Sequence, residues 1–389
     1  MRKQIVVYKK LPESELAKLK RFFDITQFAL IDNDNRNSFL QAIKPAHGLL
    51  RASVKFTEEM FSGADHLEAI STISVGYDNF DVPWLTERGI VLTNTPDVLT
   101  ETVADTVFAL MLASARRVVE LAEFVKAGHW KHSIDETLYG VDVHSKTLGI
   151  LGMGRIGAAV ARRARLGFRM EVLYYNRSRN QEVEDRFNAK FYSFEDILGA
   201  ADFICLLLPL TKETDKMIGG REFSKMKQGA IFINGSRGRI VDQSALIHSL
   251  QIGHLGAAGL DVFEKEPLPA DSPLLKMANV VALPHVGSAT HETRLNMVRC
   301  AVENLIKDTS SLMPRCLKSF AEGKLLEQAG SGEVDADAAT DHVESRHGFE
   351  RCFEGAVRRL HLTGDDAAGH LGRFVIQAFE VLAARFLIT

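Results

Sequence analysis

Cysteine is scarce in this chain of 389 residues, and the four present (Cys205, Cys300, Cys316 and Cys352) show no CxxC or other paired spacing. That pattern argues against a disulfide framework and a zinc site, and no metal is expected. Long apolar runs are missing as well: no segment approaches the roughly 20 residues that a membrane span needs. The opening MRKQIVVYKKLPESE carries an apolar run of only three residues between its lysines, too short for a signal sequence. Basic runs are absent and the net charge is −3, which leaves no footprint for nucleic acid or an anionic membrane surface. What remains, 46% hydrophobic and 25% charged, is ordinary globular material, long enough for two domains and an appendage. The cysteine usage fits a reducing, cytoplasmic setting.

What the chain does have is alternation. QIVVY (4–8) precedes SELAKLKRFF (14–23), whose Leu16, Leu19, Phe22 and Phe23 fall at helical spacing. HGLL (47–50), ISTISV (70–75) and GIVLT (89–93) read as further strands. TETVADTVFALMLASARRVVELAEFVKAG (100–128) reads as one long helix, capped by Thr100 and stopped by Gly128, with a broad apolar stripe suited to a domain or subunit contact. A second unit follows: KTLGILG (146–152) as strand, RIGAAVARRARLGF (155–168) as helix and MEVLYYN (170–176) as strand. DFICLLLP (202–209), GAIFING (229–235), LGAAGLDV (255–262) and NVVALPH (279–285) continue the pattern. These runs are continuous rather than alternating, as in strands buried on both faces. The expected fold class is α/β, with two doubly wound parallel sheets.

GILGMGRIG contains Gly152-x-Gly154-x-x-Gly157 directly after a strand and at the start of a helix, the context that gives this pattern its meaning. Gly152 permits the tight turn, Gly154 lets backbone approach a pyrophosphate, and Gly157 lets helix and strand pack closely. The helix start supplies free N–H groups and the positive end of a dipole. A glycine-rich turn without a ligand is the plainer reading, and the strand–turn–helix context weighs against it. The next strand should end in an Asp or Glu if NAD is preferred. Here it ends Tyr175-Asn176-Arg177-Ser178-Arg179, with no acid. Arg177 and Arg179 can pair with a 2′-phosphate, and Asn176 or Ser178 can hydrogen-bond it. NADPH is therefore expected over NADH, with NADH still possible. The plainer alternative leaves these arginines on a solvated loop.

Three segments place chemistry at the C-terminal ends of strands, where open α/β sheets bind ligands. FINGSRGRIVD brings Arg237, GLDVFEKEP brings Glu266 and LPHVGSATH brings His285 to a strand tip. Each has a bland reading by itself: a surface arginine, a solvated turn glutamate, a histidine closing a strand. Gly235, Ser236 and Gly238 flank Arg237 and would let its backbone lie against a ligand.

With STISVGYDNFDV (71–82) and TNTPDVLTETVADT (93–106), the chain resembles the D-isomer-specific 2-hydroxyacid dehydrogenases over residues 1–308. In particular it resembles the branch holding bacterial glyoxylate/hydroxypyruvate reductases and 2-ketogluconate reductases. The resemblance implies a Rossmann dinucleotide-binding domain inserted in a flavodoxin-like substrate domain. The first part of the substrate domain would span 1–99, the NAD(P)-binding domain 100–287 and a return helix 288–308. It implies that Arg237 anchors a substrate carboxylate and carbonyl through its planar fork. His285 would donate a proton near neutral pH, and Glu266 would hold and stabilise the imidazolium. Val75 and Gly76 resemble the backbone loop that takes the substrate carboxylate. Thr102 and Gly287 resemble nicotinamide neighbours, and Asp261 the residue that receives the carboxamide. Leu208 and Pro209 lie where the family passes its adenosine-side loop, Arg155 and Ile156 sit at the pyrophosphate, and Gly235 and Ser236 belong with the cofactor set. Trp130 would edge the substrate pocket across a homodimer interface built on the 100–128 helix, plain packing being the equal alternative for a tryptophan that follows KAG.

The implied activity is reduction of small 2-keto acids (glyoxylate, hydroxypyruvate, 2-ketogluconate) to D-2-hydroxy acids. A phosphorylated 2-ketogluconate stays open as substrate, and D-3-phosphoglycerate dehydrogenase is the runner-up within enzymes. A nucleotide-sensing, corepressor-like protein is the rival of another class, and a pure sensor has no need of a proton donor. The chain departs from the family in its tail. Family members commonly close on an Asn-x-x-Asn-Pro ending, and LIKDTSSLMPRCLKSFAEGKLLEQ (305–328) holds none. Residues 309–389 are expected to be an atypical extension, with an acidic, aperiodic linker at 327–348 and a short helix at 373–388.

Overall fold

A computed structural model describes residues 2–52 and 58–310 of the chain. The linker and helix expected in the tail lie outside the described residues, as do Cys316 and Cys352.

The N-terminal part runs β1 (Gln4–Tyr8), α1 (Glu13–Phe22), β2 (Asp24–Phe28), α2 (Arg36–Ile43), β3 (Gly48–Arg51), β4 (Ala69–Thr72), α3 (Val82–Glu87) and β5 (Val91–Thr93). Its five strands pair in parallel in the order β2-β1-β3-β4-β5, the flavodoxin-like order. β2 escapes the sequence reading because DITQF lies at a sheet edge and buries no residue fully, so it carries no apolar run.

The second sheet follows α4 (Thr100–Ala115) and α5 (Val118–Lys126). It comprises β6 (Thr147–Leu151), α6 (Arg155–Phe168), β7 (Glu171–Tyr175), α7 (Gln181–Phe187), β8 (Lys190–Phe191), α8 (Phe194–Ala200) and β9 (Phe203–Leu206). It continues through α9 (Gly220–Lys225), β10 (Ile231–Asn234), α10 (Gln243–Gln251), β11 (Ala257–Leu260), β12 (Val280–Ala282) and α11 (His291–Ser310). The parallel order β12-β11-β10-β9-β6-β7-β8, read from β8, is the 3-2-1-4-5-6 Rossmann order with one strand added beyond β11. The fold is thus two parallel-sheet α/β layers, one of them a Rossmann sheet.

The long helix expected over 100–128 is two helices. Arg117 adopts a left-handed conformation (φ +53°) between α4 and α5. Its guanidinium meets Glu120 at 2.6 and 2.7 Å and donates to the carbonyls of Thr137 and Tyr139. Four polar contacts at one side chain hold a break that apolar periodicity cannot register. Thr100 is not the cap either: Leu99 occupies that position with no side-chain bond. Gly128 does follow the end of α5, with φ +71°.

α4 buries Val103, Val107, Leu110 and Met111 against β10 and β11. The approach is close enough that a β-carbon added to Gly259 would lie 2.9 Å from Leu110 Cβ, which explains why β11 reads AAGL. Removing the Leu110 side chain from this layer should cost about 2–5 kcal/mol. α5, by contrast, buries none of its residues although it reads VVELAEFVK. No helix among the described residues is long and apolar enough to cross a membrane.

Candidate active site

The site grows from three loops at the C-terminal ends of β10, β11 and β12, met by the loop that follows β4. β10 ends on Asn234, which is buried, and its side chain folds the next turn: Oδ1 accepts from Ser236 N–H (3.1 Å) and Oγ (3.2 Å), while Nδ2 donates to Arg237 O (3.2 Å). Sequence reasoning passed over Asn234; its signal was an amide closing a buried run, FIN. Gly235 and Gly238 serve packing within the protein. A β-carbon on Gly235 would lie 2.8 Å from Val107, and one on Gly238 would lie 1.8 Å from the Phe263 carbonyl carbon. Gly238 therefore lets the Arg237 loop and the Glu266 loop touch, backbone to backbone.

Arg237 donates from Nε to Asp78 Oδ1 (2.9 Å) and from Nη1 to Ser236 O (2.8 Å). Glu266 is fixed by its own turn, Oε1 accepting from Phe263 N–H at 3.0 Å, and its Oε2 lies 2.8 Å from His285 Nδ1. Burial pushes the Glu266 carboxyl up, but hydrogen bonds from His285 and Phe263, with the charges of His285 and Arg237, outweigh it and hold the group below the usual carboxylate range.

His285 does not sit on the strand tip; β12 ends at Ala282, and Leu283 and Pro284 intervene. Its φ of +53° is left-handed, a conformation that costs a residue with a β-carbon about 1–2 kcal/mol. The surroundings impose it. His285 N–H bonds to Asp261 O (3.0 Å), and the Asp261 carboxylate takes the next two N–H groups, of Val286 (2.7 Å) and Gly287 (2.8 Å). Burial pushes the Asp261 carboxyl up against the pull of those two donors. With Nδ1 committed to Glu266, Nε2 is the ring atom left for a substrate; it makes no hydrogen bond among the described residues.

The β4 loop completes the cleft. Its carbonyls are occupied: Ser74 Oγ donates to Gly76 O (2.7 Å) and Asn94 Nδ2 to Val75 O (2.8 Å). The N–H groups of Val75 and Gly76 meet no acceptor among the described residues. With Arg237 in this place, position 76 has no room for a side chain: a β-carbon there would fall 1.5 Å from Arg237 Nη2. Nη2 of Arg237 thus packs against the loop that carries two open backbone donors, the kinds of group with which a carboxylate pairs.

The glycine-rich turn fits a dinucleotide. Gly152 has φ +108°, and a β-carbon on it would strike the backbone of Leu207 and Leu208. One on Gly157 would lie 2.3 Å from Gly152 O. Gly154, by contrast, faces nothing within 4 Å, so space stands open where α6 begins. The first N–H groups of α6, at Arg155 and Ile156, have no preceding turn to bond. The Arg155 side chain reaches Asp97 at 2.7 Å. Leu208 is buried and Pro209 exposed, its carbonyl held by Thr214 Oγ1. Thr102 shares a 2.6 Å hydroxyl bond with Thr293 of α11.

At the tip of β7, Asn176 is half-buried, and Arg177, Ser178 and Arg179 are exposed. Arg179 is drawn to Glu184, at 2.5 and 3.0 Å. Arg177 has no carboxylate within ion-pair range among the described residues. Trp130 is 63% exposed. Among the described residues no group of three or more His, Cys, Asp or Glu could hold a metal ion.

The model of the D-isomer specific 2-hydroxyacid dehydrogenase NAD binding domain matches residues 108–287. Glyoxylate/hydroxypyruvate reductase B of Salmonella typhimurium is 56% identical over 306 residues, 79% of this chain and 94% of the relative. A glyoxylate reductase from Paecilomyes thermophila superposes with a TM-score of 0.73 at 32% identity, covering 80% of this chain and 96% of that one. The NADPH-dependent glyoxylate/hydroxypyruvate reductase of Sinorhizobium meliloti, in complex with NADP and malonate, gives 0.69 at 32% identity, with 79% and 93% covered. A chain that spans 94% of the Salmonella typhimurium relative's length at 56% identity, and whose residues 108–287 match the family's dinucleotide-binding domain, belongs to the D-isomer specific 2-hydroxyacid dehydrogenase family.

Proposed function

We propose that this chain is an NADPH-preferring reductase of small 2-keto acids, glyoxylate and hydroxypyruvate first and 2-ketogluconate with them, yielding D-2-hydroxy acids. The observation that carries the reading is the 2.8 Å contact of His285 Nδ1 with Glu266, which leaves Nε2 as a proton donor in a cleft that also holds Arg237. The substrate carboxylate would rest on the N–H groups of Val75 and Gly76 and on Arg237, which also polarises the keto group. A reduced nicotinamide supplies a hydride for the keto carbon. His285 gives its Nε2 proton to the oxygen as negative charge develops there, and Glu266 stabilises the imidazolium that donates it. A sensor of nucleotides has no use for that pair.

Gly154, Arg155 and Ile156 would hold the pyrophosphate, and Asn176, Arg177 and Ser178 the 2′-phosphate. Leu208 and Pro209 would border the adenosine, and Thr102, Asp261 and Gly287 the nicotinamide. That the Sinorhizobium meliloti relative is NADPH-dependent supports the cofactor preference. Residues 1–99 and 288–308 are read as the substrate domain and 100–287 as the dinucleotide domain, in a cytoplasmic enzyme.

A homodimer through the segment after α4 is part of the same reading. Val118, Val119, Val125, Trp130, Tyr139 and Val141 are each about half exposed or more, an apolar stretch of the kind that marks an interaction surface. Sedimentation that finds only monomer at micromolar concentration removes this element. The activity itself is tested by steady-state rates on glyoxylate, hydroxypyruvate, 2-ketogluconate and its 6-phosphate with NADPH and with NADH. Failure to oxidise NADPH with any 2-keto acid overturns it.

A further inference from the structure

We propose that Asp78 is a positioning residue for the reaction, acting through Arg237; this rests on the function proposed above. Asp78 is an odd neighbour for a site that binds anions, since a carboxylate there repels the substrate carboxylate and offsets part of the guanidinium charge. Its geometry gives the compensation. Asp78 Oδ1 takes the Nε proton of Arg237 at 2.9 Å, Ser236 O takes an Nη1 proton at 2.8 Å, and Gly76 backs Nη2 so closely that no β-carbon fits between them. With Nε and one edge of Nη1 committed, the guanidinium plane has one orientation, and Nη2 lies against Gly76, on the loop whose Val75 and Gly76 N–H groups meet no acceptor among the described residues.

The pair joins the loop after β4 to the loop after β10, partners 159 positions apart in the chain. Arg237 is therefore held from both sheets at once: by Asn234 and Ser236 on its own loop, by Asp78 and Gly76 from the other. Asp78 sets direction at some cost in attraction. Without it, a long flexible side chain has several rotamers, of which one serves.

The experiment compares Asp78→Ala and Asp78→Asn with wild type in three measurements: KM and kcat for glyoxylate, affinity for oxalate by calorimetry with NADPH present, and the thermal unfolding midpoint. Asp78→Ala should raise KM and the oxalate Kd about ten- to a hundredfold, with a smaller change in kcat and none in NADPH affinity. Asp78→Asn should recover most of the loss, because its amide oxygen still accepts from Nε. An Ala variant whose KM and oxalate Kd stay within about twofold of wild type overturns the proposal, as does an Asn variant as poor as the Ala variant. Should the Ala variant fail to fold, the Asn variant decides alone: near-wild-type oxalate affinity supports the proposal, and a loss equal to that of Arg237→Ala defeats it. If wild type reduces no 2-keto acid, the proposed function falls, while oxalate binding still decides the role of Asp78.

Discussion

A β-carbon on Gly76 would stand 1.5 Å from Nη2 of Arg237, so the backbone of one loop and the guanidinium of another share a surface with no atom to spare. The obstructing atom is the end of a flexible side chain, which can swing aside. Gly76→Ala should therefore fold with a midpoint near that of wild type while Arg237 loses its place. The expected result is a fall in kcat/KM for glyoxylate of about a hundredfold, seen mainly in KM. Normal kinetics in a well-folded variant would remove Arg237 from the carboxylate site.

His285→Ala should lower turnover by roughly two to four powers of ten and leave NADPH affinity nearly intact, since the side chain acts on the transferred proton. Fluorescence titration with NADPH and steady-state kinetics on one preparation check both halves. Turnover at the wild-type rate rules out His285 as the donor.

Glu266 gives a pH signature. Its folded carboxyl titrates below the usual range, chiefly because the contacts with His285 and Phe263 N–H overcome the opposing effect of burial. Such a group adds stability in full above the ordinary glutamate value, and loses it as the pH falls through the lower folded value. Thermal unfolding followed from neutral to acid pH should show a steeper decline for wild type than for Glu266→Gln. Parallel curves would mean that the His285 contact contributes nothing to the folded state.

Arg177→Ala should weaken NADPH by about ten- to a hundredfold, the loss of one or two charge-assisted hydrogen bonds, and leave NADH little changed. Arg179→Ala should do less, because Arg179 is engaged by Glu184 at 2.5 Å. Equal losses for the two dinucleotides in Arg177→Ala defeat the selectivity argument.

Much of this was legible in the sequence. α6 begins at Arg155 and ends at Phe168, the span its glycine turn and apolar spacing require. The continuous runs became β6, β9, β10 and β11, buried on both faces as their composition demands, whereas NVVALPH became β12, which lies at the sheet edge and buries only Val281. Arg237, Glu266 and His285 were singled out because each follows an apolar run, where parallel sheets expose their loops. The rest had no local signal. β2 is polar because it lies at an edge, and the break at Arg117 is held by contacts to residues 3, 20 and 22 positions away.

Alone, the sequence determined which stretches would form the buried strands and which side chains would follow them, since those properties arise from apolar patterning and glycine placement within a few residues. Tertiary structure alone decided which of those side chains would be free. It gave Arg179 to Glu184, bent His285 into a left-handed conformation against the Asp261 backbone carbonyl, and set Asp78 beside Arg237. An ion pair or a shared hydrogen bond is decided by distance in space, and that distance exists only once the chain has closed on itself.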